Sequence, residues 1–233
     1  MIKAVGVVIP AHNEEDLLPS CLAAVRRAAR MLTGTPVHLV VVADACDDRT
    51  AGLARRAGAA VLEIRACSVG AAREAGVREV LASTRHLDPA AMWLATTDAD
   101  TVVPPSWLSQ HVRYADAGWD AVVGTVTVTD WTEYPPEVPP LFLKQYGNGE
   151  GTHRHVHGAN LGFSARAYLA AGGFSPSPTA EDHALVESLS AAGSRILRTT
   201  KVNVVTSARR RARAPHGFSH LLSTLAATQP GIT

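Results

Sequence analysis

The chain has 233 residues, 46% of them hydrophobic and 18% charged, with 22 Lys plus Arg against 21 Asp plus Glu and a formal net charge of +1. That length and apolar content suit a folded chain with a full core and exclude a disordered one, while the near-neutral balance excludes a general nucleic-acid binder. The apolar run at Val5 to Ile9 is too short for a secretory leader, no stretch reaches the roughly 18 consecutive apolar residues of a membrane span, and Cys21, Cys46 and Cys67 lack C-x-x-C spacing, so a cytoplasmic chain with reduced thiols is expected.

In chain order, Val5 to Ile9 is a β-branched run of buried-strand type stopped by Pro10. Asn13-Glu14-Glu15-Asp16 then opens a helix whose apolar positions Leu17, Leu18, Cys21, Leu22 and Val25 recur at helical spacing, with acids in the first turn where the helix dipole favours them. The pattern repeats. Val37 to Ala43 is a second strand, Asp44-Ala45-Cys46-Asp47-Asp48 is a polar turn, and Asp48 caps a helix that ends near Ala57, before Gly58. Ala60 to Ile64 makes a short third strand, Ser68 caps a helix with Val69, Ala72, Gly76, Val77, Val80 and Leu81 on one face, and Met92 to Thr96 is the fourth strand. Strands alternating with helices at this spacing predict right-handed crossovers, a mostly parallel sheet flanked by helices, and a ligand site beyond the carboxyl ends of the strands.

Asp98-Ala99-Asp100 follows the fourth strand directly. Residues two apart in extended backbone project to the same side, so the two carboxylates stand together and repel each other unless a cation neutralises them. Magnesium is usually held by one or two carboxylates plus substrate phosphates, so this pair is a donor set for an ion that also grips a diphosphate. The plainer reading is an Asp-rich turn. Against it, the polar clusters His12 to Glu14, Asp44 to Asp48 and Asp98 to Asp100 all fall on one sheet edge. No G-x-G-x-x-G follows the first strand and no G-x-x-x-x-G-K-[ST] occurs, so neither dinucleotide nor triphosphate-loop binding is expected.

The alternation breaks after Thr129. Trp131, Tyr134 and the prolines 135, 136, 139 and 140 precede a Gly-rich piece at Gly147 to Gly151, which together read as one long loop up to His157. His153, His155 and His157 share a face if extended, and read as hydrogen-bonded or exposed rings rather than a metal site. Ala180 to Ala192 is a helix with Glu181 and Asp182 in its first turn. Arg209, Arg210, Arg211 and Arg213 read as a solvated basic tail, with contact to an anionic membrane surface or ligand as the alternative. Phe218 to Ala227 is a short amphipathic helix.

Val8-Ile9-Pro10-Ala11-His12-Asn13-Glu14, Asp44-x-x-Asp-Asp-x-Thr50 and Asp98-Ala99-Asp100, in that order, resemble the nucleotide-sugar half of a family 2 glycosyltransferase with the GT-A fold. His157-Gly158-Ala159-Asn160, Gly172-Gly173-Phe174 and Glu181-Asp182 are similar to its acceptor-side segments. The resemblance covers about residues 4 to 206. It implies one α/β domain of GT-A type over 1–233, with a nucleotide-sugar half to about 128, an acceptor-side half over about 129–207 and the basic tail at 208–233.

The resemblance further implies that Pro10, Ala11, Asn13 and Glu14 line the nucleoside pocket, that Asp44 accepts a hydrogen bond from the base, and that Arg73 faces the nucleotide. Asp98 would lie near ribose and metal, and Asp100 would bind Mg2+ or Mn2+ directly. Trp131, Gly158 and Asn160 would contact the acceptor, and the Glu181-Asp182 pair would supply the catalytic carboxylate, with Asp182 as general base. The implied reaction is inverting transfer of a sugar from a nucleotide-diphosphate donor, a UDP-sugar ahead of GDP-mannose, to a hydroxyl acceptor.

A sugar-phosphate nucleotidyltransferase shares the sheet but opens with a Gly-rich basic loop, where this chain has Ala11-His12-Asn13-Glu14. A nucleotide-sugar binding module without turnover is the alternative outside the enzymes. Two departures from the family pattern stand out. Cys46 occupies a place where a small polar residue is more usual, and Asn203-Val204-Val205-Thr206-Ser207 lacks the histidine that some members use as a third metal ligand, leaving His216 as the nearest substitute.

Overall fold

The computed structural model describes residues 1–147, 151–177, 179–209 and 218–227. Its first half follows the expected alternation: β1 (Ala4–Ala11), α1 (Leu18–Arg30), β2 (Val37–Asp44), α2 (Thr50–Arg56), β3 (Ala60–Ile64), α3 (Val69–Ser83) and β4 (Met92–Thr96). Ser68 caps α3 by accepting from the Ala71 amide at 3.3 Å, and Asp48 accepts from the Thr50 amide at 2.8 Å at the start of α2. The first helix is shorter than its periodicity suggests. It begins at Leu18, with Pro19 in its first turn and no acid there. The reason lies in the preceding amides: Glu14 N–H donates to Thr50 Oγ1 at 2.8 Å and Glu15 N–H to Asp48 Oδ2 at 3.0 Å, so this stretch is committed to the neighbouring turn rather than to a helix.

The second half continues with β5 (Thr101–Val102), α4 (Trp107–Asp116), β6 (Ala121–Thr127), α5 (Val138–Tyr146), β7 (Leu161–Ser164), α6 (Ala165–Ala170), α7 (Glu181–Ala191), β8 (Ile196–Thr206) and α8 (Phe218–Ala227). The expected long loop is thus interrupted by α5. Its prolines sit in the first helical turn, where the missing N–H has no helical acceptor to lose, and Gly147 stops it at φ 56.

Among the described residues, eight strands join one sheet in the order β3-β2-β1-β4-β7-β6-β8-β5. β1 pairs in parallel with β2 and β4, so the strands bearing the three polar clusters end on one edge. β7 runs antiparallel between β4 and β6, and β8 runs parallel to β6 while carrying β5 antiparallel on its far side. Side chains alternate across the pleat. Val5, Val7 and Ile9 face α1, α2 and α4 with Leu18, Leu22, Ala54, Trp107 and Leu108. Val8, Val42 and Leu94 face α3, α6 and α7 with Val77, Val80, Tyr168, Leu185 and Leu189. Leu222 of α8 joins the first cluster beside Phe142 of α5. Among the described residues no helix is long and apolar enough to cross a membrane.

One core residue makes the fold acid-sensitive. His111 of α4 is fully buried against Trp93 and Trp107. Burial pushes its pKa down to about 3. The unfolded chain therefore binds a proton that the folded chain refuses below the ordinary histidine value near 6.5, so stability falls as pH drops through that value toward 3. Each pH unit in this window costs about 1.4 kcal/mol for one such group. In urea titrations at pH 7 and pH 5, His111→Leu should narrow the stability gap by about 2 kcal/mol; an unchanged gap would show that His111 does not control it.

Candidate active site

The site is built where β1, β2 and β4 end. Pro10 and Ala11 close β1 and are buried in its backbone ladder. Asn13 turns the chain through the left-handed region, at φ 52, and its Oδ1 accepts from the Asp47 amide at 2.9 Å. Cys46 takes the place of a small polar residue: its thiol donates to Ala11 O at 3.4 Å and accepts from the Asn13 amide at 3.3 Å. The two turns therefore brace each other. Asp44 is buried, and its carboxylate accepts the amides of Ala66 and Cys67 on Oδ1, at 2.7 and 2.9 Å, and of Ser68 on Oδ2 at 2.8 Å. It shapes the entry to α3, and any contact with a base would use its remaining lone-pair directions.

Arg73, expected to face the nucleotide, is instead enclosed at 3% exposure between two acids. Its Nη2 donates to Asp98 Oδ1 at 2.5 Å, and its Nη1 pairs with Glu181, itself buried. The carboxylate expected near the ribose and a carboxylate of α7 are thus joined through one guanidinium. Gly158 packs against it: a Cβ there would lie 2.3 Å from Arg73 Nη2, so the glycine permits the close approach. The Gly158 amide donates to Asp182 Oδ2 at 2.7 Å, while Oδ1 takes the His183 amide at 2.8 Å. Asp182 is half-buried at the start of α7, whose first turn holds both acids.

Next to Gly158, burial pushes His157 down to about 4, against the opposing pull of Asp182, so its ring is neutral near pH 7. His157 Nε2 lies 2.9 Å from the Tyr146 hydroxyl, which accepts from the Val126 amide at 3.1 Å. His153, His155 and His157 do stack on one face. His153 and His155 bond backbone carbonyls, and among the described residues no group of three His, Cys, Asp or Glu side chains is placed to hold a metal.

Asp100 lies on the other side of the site. Its side chain is 11% exposed. Burial, reinforced by Asp98 and Glu14 and opposed by Arg209, pushes its carboxyl up to about 6. Arg209 reaches in from beyond β8 and grips Glu14 through both carboxylate oxygens, at 2.8 and 2.6 Å, and Asp100 Oδ2 at 3.1 Å. The reading of Arg209 as part of a solvated tail is therefore corrected: the acids of the sheet edge draw it in. Glu14 and Asp100 are thus already paired with a cation, and carboxylates of this kind are the donors that a divalent ion takes beside substrate oxygens.

Two expected residues, Asn160 and Trp131, lie apart from this convergence. Asn160 is fully buried and its amide is spent inside the sheet, donating to Thr125 O at 2.8 Å and Val202 O at 3.0 Å while accepting from Trp107 Nε1 at 3.0 Å. It braces β6 to β8 and has no surface to offer an acceptor. Trp131 packs on Tyr134 and Phe142. His216, with Arg210, Arg211 and Arg213, lies outside the described residues.

Among solved structures, the chain is similar to Staphylococcus aureus TarS 1-349 in complex with UDP-GlcNAc, at 14% identity and TM-score 0.67 over 97% of this chain and 66% of that one. It is also similar to a mannosyltransferase from Pyrobaculum calidifontis in complex with GDP-Man and Mn2+, at 22% identity and TM-score 0.63 over 90% of this chain and 58% of that one. These likenesses show the GT-A fold.

Among curated sequences, the undecaprenyl-phosphate 4-deoxy-4-formamido-L-arabinose transferase of Pectobacterium atrosepticum is 35% identical over 132 residues, 54% of this chain and 37% of that protein. The dolichyl-phosphate hexose transferase of Haloferax volcanii is 34% identical over 119 residues, 51% of this chain and 46% of that protein. The chain spans less than half the length of these curated relatives. The model described as "Glycosyl transferase family 2" matches residues 6–168, from within β1 to within α6, and the chain belongs to that family of glycosyltransferases.

Proposed function

We propose that this glycosyltransferase moves a sugar from a nucleotide-diphosphate donor, a UDP-sugar ahead of GDP-mannose, to an acceptor oxygen with inversion, and that it uses Mg2+ or Mn2+. The observation that carries this reading is the convergence of Glu14, Asp98 and Asp100 at one sheet edge, with Asp182 reached from Asp98 through Arg73, Glu181 and Gly158.

In this reading Pro10, Ala11, Asn13 and Asp44 form the nucleoside side of the site, on turns that brace each other. Asp98 and Asp100 would hold the ion, which when bound stabilises the negative charge growing on the departing diphosphate. Asp182 stands across the site as the base that takes the acceptor proton, oriented by the Gly158 amide. The inverting outcome follows from attack on the face opposite the leaving group, with no covalent sugar on the chain.

The acceptor class has a second reading, favoured by the names of the relatives. They are named as undecaprenyl-phosphate and dolichyl-phosphate transferases. A polyprenyl phosphate presents an oxygen that is already largely ionised at pH 7, since the second phosphate pKa is about 6, and so needs less from a base than a hydroxyl does.

Calorimetric titration of UDP and GDP, each with manganese and with chelator, tests the donor side. Metal-dependent binding of one nucleotide is expected, and absence of binding for both would overturn the proposal. Asp100→Ala should abolish the metal dependence. In the wild type, the metal-dependent affinity should weaken as pH falls through about 6, where Asp100 takes up a proton and ceases to be a good ligand.

A further inference from the structure

The position of Arg209 is determined by the sheet rather than by a loose tail. β8 pairs antiparallel with β5, register Thr101↔Thr206, and the two threonine hydroxyls lie 3.0 Å apart. Thr101 is the residue after Asp100, so the end of β8 is fixed beside the metal-site carboxylate. The chain then turns, with the Arg209 amide donating to Ser207 Oγ at 3.2 Å, and the guanidinium lands on Glu14 and Asp100. Its side chain is 20% exposed, against 6% for Glu14 and 11% for Asp100. Three carboxylates, Glu14, Asp98 and Asp100, crowd this edge, and Asp98 is satisfied by Arg73. The other two are satisfied by Arg209.

A divalent ion on Asp100 would demand the same oxygens. We propose that Arg209 is a tethered cation that occupies the divalent-ion position when no donor is bound and must let go of Glu14 and Asp100 before the ion can enter. This rests on Asp100 being the metal ligand of the proposed transferase.

The physical consequence is a gate set by charge. When a binding-competent state is only partly populated, apparent affinity falls by that fraction. A detached Arg209 state populated at about 1 to 10% would weaken binding of free metal about 10- to 100-fold. A metal arriving with a nucleotide diphosphate brings enough negative charge to compensate the released guanidinium, so ion and nucleotide should bind better together than either alone.

The test is titration of Mn2+ alone, followed by the electron paramagnetic resonance signal of the free ion. Arg209→Ala should bind Mn2+ about 10- to 100-fold tighter than the wild type, and Arg209→Lys should fall between, because lysine keeps the charge without the two-pronged grip. Equal or weaker binding by Arg209→Ala overturns the proposal. A second measurement needs no variant: in the wild type, the amides of Ala208 and Arg209 should exchange hydrogen faster once Mn2+ and the bound nucleotide are present, and unchanged exchange counts against it. Failure of both nucleotides to bind would overturn the transferase reading instead, and the Mn2+ titration would still report on Arg209.

Discussion

Asp182→Asn is expected to bind metal and nucleotide like the wild type and to transfer sugar to a hydroxyl acceptor at least about 10²-fold more slowly, because general-base help is worth about 10²- to 10⁴-fold. The asparagine keeps the size and one acceptor oxygen for the Gly158 amide now bonded at 2.7 Å, giving up the bond from the His183 amide, so the side chain stays in place while the proton-accepting charge is lost. The loss should fall on kcat, with the nucleotide dissociation constant unchanged, since nothing on the donor side is touched. The same variant separates the two acceptor classes. With a polyprenyl phosphate, whose attacking oxygen is largely ionised already, the loss should shrink to less than about tenfold. Near-normal rates with every acceptor would remove Asp182 as the base.

Arg73→Met should be the most destabilising single change at the site. The arginine and Glu181 have side chains only 3% and 4% exposed, and removing one partner of such a pair strands the other charge in the interior. Losses of about 3 to 5 kcal/mol are typical, which for a chain of this size lowers the melting temperature by roughly 6 to 20 °C. The companion variant Arg73→Met with Glu181→Leu removes both buried charges and should regain most of that loss, because Asp98, at 36% exposure, can be satisfied by water. If the double variant were as unstable as the single one, the stranded carboxylate would not be the cause. The pair has a spatial role as well: it ties α3 to α7, and with them Asp98 to the helix that carries Asp182.

The strand–helix units from β1 to β4 were legible because their signals are local: β-branched runs, a Ser68 cap, turns rich in Asp and Asn. The common edge of the polar clusters followed from parallel pairing. What sequence reading missed depends on partners far along the chain. The prolines of α5 look like loop residues unless one knows that they occupy a first helical turn. Asn160 looks available, yet its three hydrogen bonds go to residues 107, 125 and 202. Arg209 looks like part of a solvated run, and its acid partner Glu14 lies 195 residues away. The one usable signal was its place three residues past the end of β8, on the sheet edge that carries the acids.

The place of β7 between β4 and β6 has a consequence for how the chain is made. β4 is buried along its whole length, with β1 on one side and β7, residues 161–164, on the other. At synthesis rates of about 5 to 20 residues per second, roughly 3 to 14 seconds separate the appearance of β4 from that of its second neighbour. During that interval the nascent chain carries an open, apolar strand edge, which is a template for pairing with other chains. A fragment ending near residue 128 would keep that edge permanently and should aggregate, so β7 closes the part of the sheet that is made first.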